Sequence, residues 1–443
     1  MNVSTTSRPG SLPLPGEARY LKEGIPSGQQ LRDPEIVERV SAILLDIDRH
    51  GMSAVRRYSE ELDGYAPERF RATREELDAA AEAVAPEVRA RLTLSLARVR
   101  GFAELQLGTA TELEREIAPG LIVGHRKVPV GRVGSYLPAG HRPLMASAFM
   151  TVLVPKVAGV ETVLACTPPR GGGAGHPAML HTADLSGADG VFSLGGVQAM
   201  AAMAFGLEGE APVDMIVGAG NAYVTEAKRQ LFGRVGIDLL AGPSEITVIA
   251  DDEADPELAA ADLLGQAEHG PTSPAVLICL SEAFGQRVIQ EAQRQLDELG
   301  DATARAAWSD YGSVIVAGDR EEAAQVADAI APEHLEVHAA DEDWWLGRLR
   351  NYGSLFLGSL TTVAFSDKGT TGTNHVLPTG RAARYAGGLS ASRFVKTLTY
   401  QRVSDPEASR PLAEAVAEIS AAEGLPAHRA TATRRLARLP SQG

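Results

Sequence analysis

AGPSEITVIADDEADPELAAADLLGQAEHGP, residues 241–271, opens on a Gly-Pro-Ser turn and passes into the apolar run Ile246 to Ala250, which reads as a buried strand. An acidic loop follows, then a helix from about Pro256 that stops at Gly270-Pro271. Near its end Gln266 and His269 stand three residues apart, on one face of the last turn, so both can point at one object. A carboxamide oxygen and an imidazole nitrogen converging at a helix end can ligate a borderline metal. Taken alone, the pair reads first as a solvated Gln266 with His269 capping the last carbonyls. Two ligands do not make a metal site, so the pair alone leaves both readings open.

Working outward from this stretch, strands and helices alternate on both sides. Upstream, helical segments at Met145 to Val157, Pro177 to Ser186, Val197 to Phe205 and Ala222 to Phe232 separate strands at Thr162 to Cys166, Gly190 to Leu194, Val213 to Val217 and Ile237 to Leu240. Downstream, strands are expected at Ala275 to Leu280, Ser313 to Ala317, Leu335 to His338 and Leu355 to Leu357. The helices between them are Pro256–Ala267, Ala283–Leu299, Glu321–Ala331 and Asp343–Asn351. Strand–helix repetition with short Gly-bearing turns predicts parallel α/β sheets, here as two similar units with a cleft between them. Ahead of them, residues 33–62 and 72–108 carry helical periodicity, and LIVGHRKVPVGRVGSYLP alternates as strands do. After Asn374 the pattern thins to loop and helix, and Pro411 to Leu439 is helical with an interruption near Gly424–Pro426. This last segment can pack on its own chain or reach across to another.

Composition narrows the function classes. Of 443 residues, 44% are apolar and 22% charged, near globular averages, and the formal charge is −15. That balance argues against a general affinity for nucleic acid or anionic membrane, and the Arg-rich end (Arg429, Arg434, Arg435, Arg438) reads as a solvated helix face. The two cysteines, Cys166 and Cys279, sit in apolar runs and read as small core residues of a reducing compartment. The most apolar stretch, Pro143 to Val160, is broken by Pro155 and Lys156 before it reaches the roughly 18 residues of a membrane span. MNVSTTSRPGSLPLPG at the start has no apolar signal core and reads as a loose tail. A cytoplasmic protein is expected.

Three Gly-bearing turns follow predicted strands: GSYLPAG (134–140), SLGGVQ (193–198) and GAGN (218–221). Glycine there lets a phosphate approach the backbone, and the next helix offers free N–H groups. None is a complete GxGxxG, and singly each is an ordinary α/β turn. Gathered at one sheet edge, their polar residues Tyr136, Gln198 and Asn221 can bond ribose or amide groups.

Four more stretches carry reactive groups. Pro332-Glu333-His334 puts a carboxylate beside an imidazole, able to divide the work of activating water and taking a proton from an alcohol, or to be a surface pair at a helix end. Asp367 leads into KGTTGTNHVLPTG, a Thr/Gly-rich loop holding His375, with no evident packing role. Glu423 and His428 flank a turn near the end, and alone would be two solvated residues. Ser244 in the Gly-Pro-Ser turn is more often a cap than a ligand. His50, His125, His141, His176, His181 and His338 read as structural. Gln266, His269, Asp367 and His428 could together give a nitrogen–oxygen ligand set that suits a catalytic zinc or manganese, but an amide ligand is unusual and spacing alone does not pick this set.

Together AGPSE, QAEHGP, PEH, GTNHVLPT, GNAYVTEAKRQ and EGLPAH resemble the histidinol dehydrogenase family, and the likeness runs from about residue 30 to 438. The resemblance implies two incomplete Rossmann-like domains with parallel sheets, N-terminal helices, and a C-terminal helical tail exchanged within a homodimer. Residues 1–28 would then be a tail, 29–134 with 245–388 a first domain carrying zinc and catalysis, 135–244 a second carrying the NAD turns, and 389–443 the exchanged segment. It implies one Zn2+ per site held by Gln266, His269, Asp367 and, from the other subunit, His428. It makes Glu333 and His334 the catalytic pair. Ser244, His375 and Glu423 would join the zinc ligands and Glu333 in contacting substrate, and Tyr136, Gln198 and Asn221 would contact NAD+. The implied reaction is a four-electron oxidation of a primary alcohol to a carboxylate, L-histidinol to L-histidine in the biosynthetic family, using two NAD+.

The chain departs from the histidinol pattern in its turns, Pro138-Ala139-Gly140 and Gly218-Ala219-Gly220-Asn221, and in a loop after Asp367 one residue longer than usual. HRPLMASAFM, RQLFGRVGIDL, QAEHGPTSPAVL and ARYAGGLSASRFVKTLTYQRV look more like the sulfopropanediol dehydrogenase branch, which commonly has Arg where His141 precedes Arg142 here. That branch implies oxidation of a small anionic diol, 2,3-dihydroxypropane-1-sulfonate, to sulfolactate by the same machinery. Two other classes make different predictions. A zinc hydrolase would turn over without NAD+, and a binding protein would make no NADH from any alcohol.

Overall fold

The computed structural model describes residues 13–25, 33–139, 142–206 and 208–440. Ile246–Ala250 is buried on both faces because parallel strands pair with it on both edges, Ala275–Cys279 on one side and His334–His338 on the other. Ser313–Val316 and Ser354–Leu357 extend this sheet outward, and Arg19–Lys22 closes it as an antiparallel sixth strand. A second, five-stranded parallel sheet runs in the order Gly236–Ile237, Met215–Val217, Arg132–Tyr136, Thr162–Thr167, Gly190–Ser193. Helices between the strands bury Ala, Leu and Val against each sheet, which is the α/β architecture that the alternation predicts.

Several elements differ from the sequence expectations. Arg19–Lys22 falls in the expected tail, yet it pairs with Ser313–Val316. A sheet edge recruits a strand through backbone bonds, which leave no apolar pattern to read. Residues 1–12 and 26–28 of that tail lie outside the described residues. The segment 33–62 is two helices, Pro34–His50 and Met52–Asp63, parted at Gly51 with φ +58°. The segment 72–108 is likewise Arg74–Glu82 and Pro86–Gly108, the second starting on a proline that needs no N–H partner. All four pack on the five-stranded sheet. Met145–Val157 contains a π-helical turn at Phe149–Leu153, beside Pro155. Leu113–Ala118, Leu121–Pro129 and Val395–Val403 form an antiparallel three-stranded sheet. Its outer strands are largely exposed, so Val395–Val403 lacks the burial alternation that would reveal it. A further helix, Ala302–Tyr311, has no counterpart among the sequence expectations. The end of the chain is a helical hairpin, Pro406–Ala422 and Pro426–Leu436. Among the described residues no helix is long and apolar enough to cross a membrane.

A buried ion pair anchors the GAGN turn. Lys228 bonds to Asp238 and donates to the Gly218 carbonyl at 2.8 Å, while Asp238 accepts from the Gly218 N–H at 2.7 Å. Both side chains are essentially shielded from solvent, at 2% and 0% exposure. Lys228→Met strands the carboxylate and should lower stability by about 3–5 kcal/mol, read from denaturant unfolding. A loss well under 1 kcal/mol would contradict this reading of the pair.

Candidate active site

Parallel strands bring Ser244-Glu245 and Glu333-His334 to the same, amino-terminal end of the six-stranded sheet, because Ile246 pairs with His334. The turn into His334 passes through Ala331 at φ +52°, which ends the helix Arg320–Ile330 and starts the strand abruptly. Glu333 is 6% exposed. One oxygen, Oε2, accepts from the Ser244 hydroxyl at 2.7 Å and from the Glu245 N–H at 2.9 Å. Burial pushes its pKa up to about 8 despite those bonds. The Glu245 side chain is buried too, accepts from the Gly380 N–H at 3.0 Å, and is pushed up to about 8 by burial and then by the charge of Glu333. Glu245 was not singled out from sequence. Its only signal was its place beside Ser244.

The His334 ring is oriented by a group that can only accept. Nδ1 lies 3.0 Å from the Glu245 carbonyl oxygen, so Nδ1 carries the proton and Nε2 keeps its lone pair. Nε2 is buried without a hydrogen-bond partner among the described residues, and burial lowers the ring's pKa. The site thus holds a neutral imidazole with its basic nitrogen uncommitted.

The helix Pro256–Ala267 delivers the next pair. Asp255 caps its start, Pro256 opens it, and Ala259, Ala260, Leu263, Leu264 and Ala267 bury one face. Gln266 is buried at 2% exposure, which rules out the solvated reading. Its Nε2 donates to Ser244 Oγ at 2.5 Å, completing a relay from Gln266 through Ser244 to Glu333, and its Oε1 is buried with no partner among the described residues. His269 caps and faces the site at once. Nδ1 donates to the Gln266 carbonyl at 3.2 Å, and Nε2 lies 3.2 Å from Asp367 Oδ2. Burial pulls the His269 pKa down, but the Asp367 carboxylate outweighs it and the net shift is upward. Burial pushes Asp367 the other way, yet the neighbouring imidazoles, His269 first, hold it well below the usual carboxylate range. Asp367 ends the short helix Val363–Asp367, and the loop beyond returns so that His375 Nδ1 donates to the Asp367 carbonyl at 3.1 Å. Ser244, Gln266, His269, Glu333, His334, Asp367 and His375 therefore meet in one place.

Glu423 and His428 do not join them within the chain. Both are exposed at the turn of the C-terminal hairpin, and among the described residues neither side chain bonds to the cluster. Tyr136, Gln198 and Asn221 stand at the carboxyl ends of the other sheet's strands. The Tyr136 hydroxyl accepts from the Gly196 N–H at 3.2 Å, and burial pushes its pKa up to about 12. Gln198 Nε2 donates to Asp63 at 2.8 Å, and its buried Oε1 has no partner among the described residues. Asn221 is exposed and caps the helix Ala222–Leu231 by accepting from the Val224 N–H at 3.1 Å. Gly218 has φ +110°, and a Cβ there would collide with the Tyr136 carbonyl, so only glycine fits. Gly140 and His141 lie outside the described residues.

Residues 27–436 match the profile of a protein family described as histidinol dehydrogenase. A histidinol dehydrogenase homolog from Shouchella clausii is 45% identical over 95% of this chain and 99% of its own. A sulfopropanediol 3-dehydrogenase from Ruegeria pomeroyi is 44% identical over 91% of this chain and 93% of its own. The crystal structure of a histidinol dehydrogenase from Elizabethkingia anophelis superposes with a TM-score of 0.86 at 31% identity, over 94% of this chain and 95% of that one.

The His269–Asp367 contact is testable in chelator-treated protein. Asp367→Asn removes the charge that raises the ring's pKa and leaves burial to act alone, so the His269 titration, followed by NMR, should move to lower pH. An unmoved titration would mean that another group sets it.

Proposed function

The chain belongs to the histidinol dehydrogenase family, oxidoreductases that act on an alcohol by way of an aldehyde, and we propose that it is a zinc- and NAD-dependent dehydrogenase that carries a primary alcohol through to the carboxylate. The observation that carries the proposal is the buried pairing of Glu333 and His334 beside the His269–Asp367 contact.

The residues fit zinc. His269 Nε2 and Asp367 Oδ2 stand 3.2 Å apart, close to the roughly 3.3 Å between ligands of a tetrahedral zinc with bonds of about 2.0–2.1 Å. The partnerless Gln266 Oε1 supplies a third donor. The fourth would be His428 of the partner subunit. When bound, zinc would orient the substrate and polarise its oxygen. The turns of the five-stranded sheet fit NAD+. Gly218 admits nothing larger beside Tyr136, the Gln198 carbonyl oxygen has no partner among the described residues, and helices start within 193–198, at Gly196, and directly after 218–221. When bound, NAD+ would supply the hydride acceptor.

His334 Nε2 takes the alcohol proton in the first oxidation, since its tautomer and low basicity leave it a neutral acceptor. Glu333, held by Ser244 and the Glu245 N–H, draws a proton from the water that hydrates the aldehyde. A positive charge nearby favours its anion, the form that task needs. His334 then deprotonates the hydrate for the second oxidation. Burial of both side chains keeps bulk water from the aldehyde between steps.

Tail exchange has its own support. Leu412, Val416, Ile419 and Leu425 are 38–57% exposed on the hairpin that bears Glu423 and His428. A homodimer that covers this face would bring both residues to a partner's site, where Glu423 would contact substrate with His375 and Ser244. L-Histidinol is the substrate of the biosynthetic reading. A sulfonated diol is the second reading, favoured by the 44% identity to a sulfopropanediol 3-dehydrogenase.

NADH formation by the zinc-loaded protein, with L-histidinol compared against 2,3-dihydroxypropane-1-sulfonate, tests both. Two NADH per substrate consumed are expected; one, or turnover without NAD+, contradicts the two-step chemistry. His334→Asn should cut kcat by about 10²–10⁴-fold while leaving zinc content unchanged. Loss of zinc instead would move His334 into the ligand set.

A further inference from the structure

His334, Glu336 and His338 alternate along one strand, so all three side chains face the same side of the sheet, while Leu335 and Val337 enter the opposite core. The face they share looks onto the helix Pro256–Ala267. At one end of this seam lie Gln266 and Glu333. At the other, Asp262, one turn before Gln266, meets His338: Asp262 Oδ2 is 3.3 Å from His338 Nε2, and Glu336 Oε2 is 3.4 Å from the same nitrogen. The three donor atoms all lie within 4.8 Å of one another. The His338 and Glu336 side chains are 1% and 0% exposed and that of Asp262 14%.

Ordinary hydrogen bonding does not account for this cluster. Among the described residues, neither nitrogen of His338 nor Oε2 of Glu336 has a partner that meets hydrogen-bond geometry. One Nε2–H cannot serve two carboxylates, and both separations exceed the roughly 2.7–2.9 Å of a charge-assisted bond. They do match the spacing of about 3.3–3.4 Å between ligands that share a tetrahedral cation with bonds near 2.0–2.1 Å. A divalent ion would balance both buried carboxylates, whereas the His338 imidazolium, which burial opposes but the two carboxylates favour by raising the pKa to about 9, offsets only one. The other oxygen of Glu336 is already fixed by the Val363 N–H at 2.6 Å, which leaves Oε2 aimed at the cluster.

We propose that Asp262, Glu336 and His338 form a second divalent-cation site of zinc type, separate from the one at Gln266, His269 and Asp367. Nitrogen and oxygen donors without thiolate suit zinc, and water completes the fourth position. Such an ion would tie the helix carrying Gln266 to the strand carrying His334, and through Val363 to the helix ending at Asp367.

Zinc equivalents per chain, measured on full-length protein stripped by chelator, reloaded and freed of excess metal, test it. Wild type should hold two, His338→Gln one, His269→Gln one, and the double variant none. Wild type holding a single equivalent that His338→Gln retains would overturn the second site. A His269→Gln variant that keeps the wild-type count would instead sink the first site and leave this one standing. Should His338→Gln not fold, anomalous scattering from wild-type crystals at the zinc edge decides: a peak among the three side chains is expected, and its absence beside a peak at His269 overturns the proposal.

Discussion

The parallel pairing of Ile246–Ala250 with His334–His338 is the constraint on which the site depends. Its register sets Ile246 opposite His334, so the turn holding Ser244 and Glu245 must lie beside Glu333, although almost ninety residues separate them in the chain. Two hydrogen bonds from that turn then fix one oxygen of Glu333, and the Glu245 carbonyl fixes the His334 tautomer. A slip of one residue in this pairing would turn His334 and Glu336 to the opposite face and dissolve the cluster.

The same seam concentrates charge where water is excluded. Glu245, Glu333 and Glu336 are all buried, and burial raises the pKa of each. Buried carboxyls gathered this densely are tolerated either protonated or, as anions, beside compensating positive charge. His269 meets part of that need from within the chain, and bound cations would meet the rest. A fold that keeps so many acids inside is organised around what it binds.

The sequence made much of this legible and some of it not. The strand–helix alternation from Thr162 to Leu357 could be read because apolar runs and Gly turns mark buried parallel strands. The strands Arg19–Lys22 and Val395–Val403 could not, since edge and exposed strands are held by backbone bonds that any side chains allow. At the site, Gln266 with His269 was visible as a spacing on a helix. Their meeting with Asp367 and Glu333 came from family motifs, because contacts between distant segments leave no periodic trace. Glu245 carries no mark of its own beside Ser244, and His338 reads as structural. The alternation His334, Glu336, His338 was present in the sequence, but its partner Asp262 lies on another element.

The central claim is that each catalytic centre is shared between two chains, with Glu333 and His334 from one and Glu423 and His428 from the other. Co-expression of His334→Asn and His428→Asn chains, each inactive alone, tests it most directly. A mixed dimer then has one centre with both lesions and one with neither, and random pairing should restore about a quarter of wild-type activity. No recovery in isolated mixed dimers would mean that His428 serves its own chain's centre, and the shared arrangement would be wrong.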